Sequence, residues 1–339
     1  MAISTAPVAD SFFFSKNDPH DLRLGDLAKP VNLEDLSKLP FGWVLLGYPD
    51  DEGIQLNGGR VGARLAPDNI RKYFYRMTPS SFKRSELQPA FYDLGNLALS
   101  PEAKEDSSTS LAQKHEVAQT LVKQTLDSQK KIFCLGGGHD YGFPDAAAFV
   151  EYNIKKSKQR PLVINFDAHL DVRPTDKGFH SGTPFRRLLT QYSQQIDFVE
   201  IGIQPQCNSL THRQWAERHQ AVIIDLAHVE KIGLLPALKK GLKSTKSPKF
   251  SGRSSQRPLW LSIDIDSFCS SEAPGCSQSF AIGLHIEQFL PALRFLEENF
   301  DIQGLGLYEV SPPLDQDDRT SKLAALILYH AVFTAKIGS

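Results

Sequence analysis

Short apolar runs punctuate the chain at Trp43–Leu46, Phe91–Leu94, Ile132–Leu135, Leu162–Phe166, Phe198–Ile203, Val222–Ile224, Leu259–Ile265 and Leu305–Tyr308. Several are apolar at consecutive positions, as strands buried on both faces read. Between most of them the apolar positions recur at helical spacing, over Pro67–Met77, Leu111–Lys130, Phe143–Lys155, Pro184–Tyr192, His285–Glu298 and Ser321–Lys336. This alternation predicts an α/β fold, three αβα layers around a mostly parallel central sheet of about eight strands. The Lys/Ser-rich stretch Lys239–Arg257 reads as an exposed loop. The first forty residues carry few periodic signals and are expected to wrap the outside. The organisation expected is an N-terminal extension (1–40) followed by one domain (41–339).

In parallel sheets of this kind, ligands bind beyond the carboxyl ends of the strands. The run Ile132–Leu135 exits into GGGHD, bringing His139 and Asp140. Leu162–Phe166 exits into DAHLD, with Asp167, His169 and Asp171 spaced by two. Leu259–Ile265 ends in SIDID, with Asp264 and Asp266, and Leu305–Tyr308 exits into EVSPP, with Glu309. Spacing by two places alternate side chains on one face of an extended chain. Acids and imidazoles buried there without partners would cost several kcal/mol each, and a metal is the usual remedy. His139, Asp167, His169, Asp171, Asp264 and Asp266 form an oxygen-rich set without thiolates, which disfavours a structural zinc site and suits Mn(II), with Fe(II), Co(II), Ni(II) or Zn(II) as substitutes. Four carboxylates offset two divalent ions, and a pair of ions about 3.5 Å apart can activate a shared water.

Composition narrows the alternatives. Lys+Arg is 38 and Asp+Glu 39, a net charge of −1, so no nucleic-acid or membrane partner is indicated. No stretch approaches the ~18 continuous apolar residues of a membrane span. The N-terminus lacks the basic region of a secretory signal, and a cytoplasmic location is expected. The four cysteines, Cys134, Cys207, Cys269 and Cys276, are scattered without a CxxC pair, which predicts free thiols in a reducing compartment.

GGGHD, DAHLD and SIDID, together with Asp51–Arg71 upstream and YEVSPPLD (Tyr308–Asp315) downstream, resemble in order and context the motifs of the ureohydrolases, the arginase and agmatinase superfamily of manganese amidinohydrolases. The resemblance runs from about Phe41 onward and implies an arginase-like fold holding two Mn2+ ions. It assigns His139 and Asp171 to one ion and His169 to the other, with Asp167 and Asp264 bridging and Asp266 joining at a single metal. Asp171 would pass a proton to the leaving nitrogen after attack by a metal-bridging hydroxide, and Glu309 would receive a cationic amidino or guanidino group. In place of the His before a Gly-x-Pro-like turn that arginases and agmatinases carry, this chain has FHSGTPF, with Ser181 before Gly182 and His180 one place earlier. That pattern is similar to the formimidoylglutamase branch, which releases glutamate and formamide in histidine breakdown. GIQPQCN (Gly202–Asn208) and the APG at Ala273–Gly275 fit the same branch, and Cys269 stands where the arginase loop has an Asp. Two substrate carboxylates would call for cations and amide donors, and Asn57, Arg60, His180, Ser181, Arg186, Gln204 and Asn208 are the candidates. The same chemistry on a guanidino substrate, releasing urea, is the alternative, followed by a metal-binding homologue without turnover and by a deacetylase-like activity. A homo-oligomer is expected from the resemblance.

Overall fold

The computed structural model describes residues 3–79, 90–99, 110–156, 159–247 and 256–333. Ten strands form one sheet: β1 (Ile3–Ala6), β2 (Ala28–Pro30), β3 (Gly42–Gly47), β4 (Ala90–Leu99), β5 (Lys131–Leu135), β6 (Leu162–Phe166), β7 (Asp197–Ile203), β8 (Ala221–Asp225), β9 (Arg257–Asp264) and β10 (Phe300–Tyr308). Their order is β1-β4-β3-β5-β10-β9-β6-β7-β8, with β2 also beside β4, and only the β1–β4 pairing is antiparallel. β3 to β10 correspond to the eight apolar runs. β9 stops at Asp264 because Ile265 turns into a short 3-10 segment. The sheet is larger than expected because the first forty residues supply β1 and β2 at its edge. Those strands are short and neighbour polar loops, so neither carries a period long enough to read.

The helices are α1 (Leu24–Leu27), α2 (Glu52–Leu56), α3 (Ala66–Phe74), α4 (Leu111–Asp127), α5 (Gly142–Lys156), α6 (Pro184–Tyr192), α7 (Leu210–Arg218), α8 (Leu226–Ile232), α9 (Leu234–Lys243), α10 (Ile286–Asn299) and α11 (Arg319–Phe333). Residues 334–336 of the helix expected to reach Lys336 lie outside the described residues. The stretch Lys239–Arg257 is a loop only in part, since α9 continues to Lys243 and β9 begins at Arg257. Residues 248–255 within it lie outside the described residues. Side chains alternate across the strands as a pleat requires. Trp43, Leu45, Phe133, Leu135, Ile164 and Leu261 pack with α3 and α8–α11 on one face, while Val44, Leu46, Ile132, Val163 and Trp260 pack with α4–α7 on the other. The result is the three-layer αβα arrangement.

Two features of this sheet place the site. The strands whose exits carry the acids and imidazoles, β5, β10, β9 and β6, are consecutive neighbours at its centre. Their registers are also level, with Leu135 beside Leu307, Tyr308 beside Asp264 and Ile263 beside Phe166. Residues 139, 167, 264 and 309 therefore emerge along one edge.

At the opposite end of the sheet, Glu297 on α10 buries both carboxylate oxygens without a hydrogen-bond partner. Burial raises its pKa to about 8, against the pull of Lys131 and Arg294. A carboxyl that holds its proton more tightly when folded stabilises the fold fully below its ordinary pKa, and that contribution fades as pH rises through about 8. Denaturant unfolding should therefore lose on the order of 3–4 kcal/mol between pH 5 and 8.5 through this one group. Glu297→Gln should remove most of that slope; an identical slope in the variant would assign the pH dependence elsewhere.

Candidate metal centre

His139 leads the 3-10 turn that follows β5. Gly136, three residues before His139, has φ +76°, and a Cβ there would meet the Ala66 Cβ at 2.7 Å. The glycine run thus serves close packing at the rim. The His139 ring is fixed from behind by the Ser262 hydroxyl, 2.9 Å from Nε2, and from the side by Tyr308, whose ring stacks on it. This leaves Nδ1 aimed into the site, where Asp167 Oδ2, Asp171 Oδ2 and Asp264 Oδ2 lie 3.1, 3.0 and 3.2 Å away. Beside this group, His169 Nδ1 lies 3.5 Å from Asp167 Oδ1 and 3.0 Å from Asp266 Oδ2. Asp167 therefore offers one oxygen to each of two clusters, His139–Asp167–Asp171–Asp264 and Asp167–His169–Asp266.

The cluster fits a pair of ions on its own geometry. His139 Nδ1 is buried and makes no hydrogen bond of acceptable geometry despite three carboxylates around it. Ligand atoms at about 2.1 Å from a six-coordinate ion lie about 3 Å apart, which is the spacing seen. The electrostatics say the same. Burial alone would depress His139 and His169, yet their acidic neighbours hold both well above the ordinary imidazole range. Burial raises Asp171 to about 6 and lifts Asp264 and Asp266, whereas Asp167 is held below the usual carboxylate range by the two imidazoles despite its burial. Without cations, some of these acids must stay protonated. Divalent ions would displace those protons.

Behind the clusters, Asn165 donates to Asp167 Oδ2 (3.2 Å) and to Glu200 Oε2 (2.8 Å). Glu200 is pushed well above the usual carboxylate range by burial and by Asp167. Asp140 does not face the site: it contacts His115 at 2.8 Å, and Arg187 holds the far side of that ring.

A cleft of about 340 Å³ opens over the two clusters. Glu309 lines the same cleft, its Oε1 accepting the His139 backbone N–H at 3.0 Å. Burial raises Glu309 to about 8, against the pull of the His139 backbone N–H. Asp171 and Glu309 both sit at positive φ, +48° and +65°, a conformation unfavourable for residues with a Cβ and typical of functional positions held by their surroundings.

The expected substrate residues divide. Asn57 donates to Ser181 at 3.0 Å and both line the cleft, while His180 lines its outer mouth. Asn208 borders the mouth but is engaged in bracing the Ala168–Leu170 turn, accepting from Leu170 N at 2.8 Å and donating to Ala168 O at 2.9 Å. Three do not face the cleft. The Arg60 guanidinium is spent on the carbonyls of Cys276 and Ser277 at 2.8–3.0 Å. Arg186 stacks on the Trp215 ring at 3.8 Å. Gln204 is buried and donates to Ile282 O at 3.1 Å. Arg173, which the sequence reading missed, is the exposed cation that borders both cleft and mouth, and it has no carboxylate partner among the described residues. The signal for it was available: Arg173 lies two residues beyond Asp171, the same alternation that brought the ligands together.

Comparison with known proteins agrees with this geometry. The family model described as Arginase: Arginase family matches residues 41–334. The formimidoylglutamase of Bacillus subtilis is 29% identical over 293 residues, 84% of this chain and 86% of that protein. The crystal structure of Trypanosoma cruzi formiminoglutamase with Mn2+2 superposes with a TM-score of 0.76 at 27% identity, covering 93% of this chain and 99% of that one. The crystal structure of the Bacillus subtilis formimidoylglutamase superposes with a TM-score of 0.79 at 26% identity, covering 94% and 93%. No helix among the described residues is long and apolar enough to cross a membrane.

Proposed function

Because this chain belongs to the arginase family, we propose that it is a dinuclear manganese amidinohydrolase that converts N-formimidoyl-L-glutamate and water to L-glutamate and formamide. The observation that carries this reading is Asp167, one carboxylate shared by two imidazole–carboxylate clusters whose His169, Asp171, Asp264 and Asp266 line the same cleft as Glu309. The names of the similar proteins, and the manganese in the trypanosomal one, support the substrate and the metal. His139, Asp167, Asp171 and Asp264 would hold one ion, and Asp167, His169 and Asp266 the other. When bound, the two ions supply a water of lowered pKa positioned beside the reacting carbon.

The chain's own groups do the rest. Glu309 accepts N–H groups of the planar amidinium and aligns its central carbon over the clusters. The carbon–oxygen bond forms as water adds, and the bond from that carbon to the glutamate nitrogen breaks. Asp171 takes a proton from the adding water and gives it to the departing nitrogen. Arg173, at the mouth, meets a carboxylate of the glutamate tail, and Asn57 and Ser181 line the approach. The domain 41–339, with residues 1–40 added at the sheet edge, a homo-oligomeric state, a cytoplasmic location and a place in histidine breakdown belong to the same proposal.

Manganese-loaded protein should release formamide and glutamate from formimidoylglutamate with kcat/KM well above that for arginine, agmatine or guanidinobutyrate. Urea from any of the guanidino compounds at a higher kcat/KM would refute the substrate while leaving the metal centre. Arg173→Ala should raise KM about tenfold or more with a smaller change in kcat, the loss of one charge-assisted contact. An unchanged KM would remove Arg173 from the substrate site.

A further inference from the structure

Beyond the catalytic cleft, the loop between β9 and α10 gathers three chemically different ligand groups. Cys269 Sγ lies 3.5 Å from His285 Nδ1, and Glu272 Oε1 lies 2.9 Å from the same nitrogen. The three atoms are mutually close enough to share one ion. We propose that Cys269, Glu272 and His285 form a separate zinc site that clamps this loop against the start of α10.

The distances suit tetrahedral coordination. Zn–S of about 2.3 Å and Zn–N of about 2.05 Å at a tetrahedral angle separate sulfur and nitrogen by about 3.6 Å, and nitrogen and carboxylate oxygen by about 3.3 Å. A single imidazole nitrogen carries at most one hydrogen, so it cannot donate to both Cys269 and Glu272. Cys269 Sγ also lies 3.0 Å from the Ser271 hydroxyl, which can donate to a thiolate, so one ion accepting a lone pair from each of Cys269, Glu272 and His285 leaves every group satisfied. A thiolate with an imidazole and a carboxylate selects zinc over manganese, the reverse of the all-oxygen and imidazole set in the cleft.

Two ligands are already held in place. The free oxygen of Glu272 accepts the Ile286 N–H at the first turn of α10, 2.8 Å away, which turns Oε1 toward His285. The backbone N–H of Cys269 is bound to Leu284 O at 3.1 Å, next to His285. Cys269 is buried, whereas the His285 side chain is 53% exposed, so an ion can enter from solvent and keep a water as fourth ligand. The loop so clamped runs back to the cleft. Ser270 N donates to Phe280 O at 2.7 Å, and Phe280 and Ser277 line the cleft wall near His169. Zinc at this site would hold that wall in place. The inference does not depend on the identity of the hydrolytic substrate.

Cobalt titration of the full-length, manganese-loaded protein tests the site, because a cobalt–thiolate charge-transfer band in the near ultraviolet requires a cysteine ligand and the catalytic clusters have none. Cys207 borders the cleft and is the control thiol. One band per chain is expected in the wild type and in Cys207→Ser, absent in Cys269→Ser and in His285→Gln. His285→Gln changes an exposed side chain and keeps the test valid if the buried cysteine variant folds poorly. Zinc should also raise the Tm of the wild type and leave that of His285→Gln unmoved. No band in the wild type, a band that survives both Cys269→Ser and His285→Gln, or one that vanishes with Cys207→Ser would overturn the proposal.

Discussion

Asp171→Asn is expected to fold normally and to lose turnover by about 10³-fold or more. Asparagine tolerates φ +48° better than any other residue with a Cβ, so the backbone that Phe185 N reads through the Asp171 carbonyl at 3.1 Å is preserved. The side chain keeps one oxygen near His139 Nδ1, so part of the coordination survives. Its capacity to take and return a proton does not, and positioned acid–base groups contribute roughly 10²–10⁴ in rate. The expected pattern is a steep fall in kcat with modest loss of metal and little change in KM. Full turnover in this variant would remove Asp171 from proton transfer and assign it a purely ligating role.

Glu309→Gln should lower kcat/KM by about 10²–10³-fold, the loss of a charge-assisted pair in a buried site. Glutamine is close in shape and can still accept the His139 N–H that Glu309 Oε1 now receives at 3.0 Å, so the turn after β5 should hold. What disappears is the negative charge facing the amidinium. Inhibition by a simple guanidinium ion should weaken in parallel, since the ion needs the same carboxylate. If guanidinium still inhibits the variant as strongly, the cation binds elsewhere and the orientation of substrate in the cleft must be redrawn.

The clustered acids and imidazoles were legible in the sequence because each sits at the exit of a strand, where periodicity is strong and the last apolar residue is plain. Asp167, His169 and Asp171 share the strand period, and Asp264 and Asp266 repeat it three strands along the chain. What periodicity could not show is that β5, β10, β9 and β6 lie side by side with level ends, because sheet order is set by crossover connections rather than by any local pattern. The errors came from side-chain direction. Arg60 and Arg186 stand beside motif residues, but one folds back onto the carbonyls at 276 and 277 and the other lies flat on Trp215. Proximity in sequence says nothing of such choices. Gln204 and Asn208 were read as substrate donors, and their amides are used to brace the loops carrying Ala168 and Ile282 instead. Among the elements, α7 to α9 are short, and Gly233 between α8 and α9 and Pro236 in the first turn of α9 break the helical period there.

A metal count with electron paramagnetic resonance on gel-filtered, manganese-loaded protein tests most directly whether Asp167 joins two ions into one centre. Two manganese ions per chain with the spectrum of an exchange-coupled pair are predicted, with Asp167→Ala losing the coupled signal and the activity together. One ion per chain at full activity, or two ions that show no coupling, would contradict a centre built on a shared Asp167.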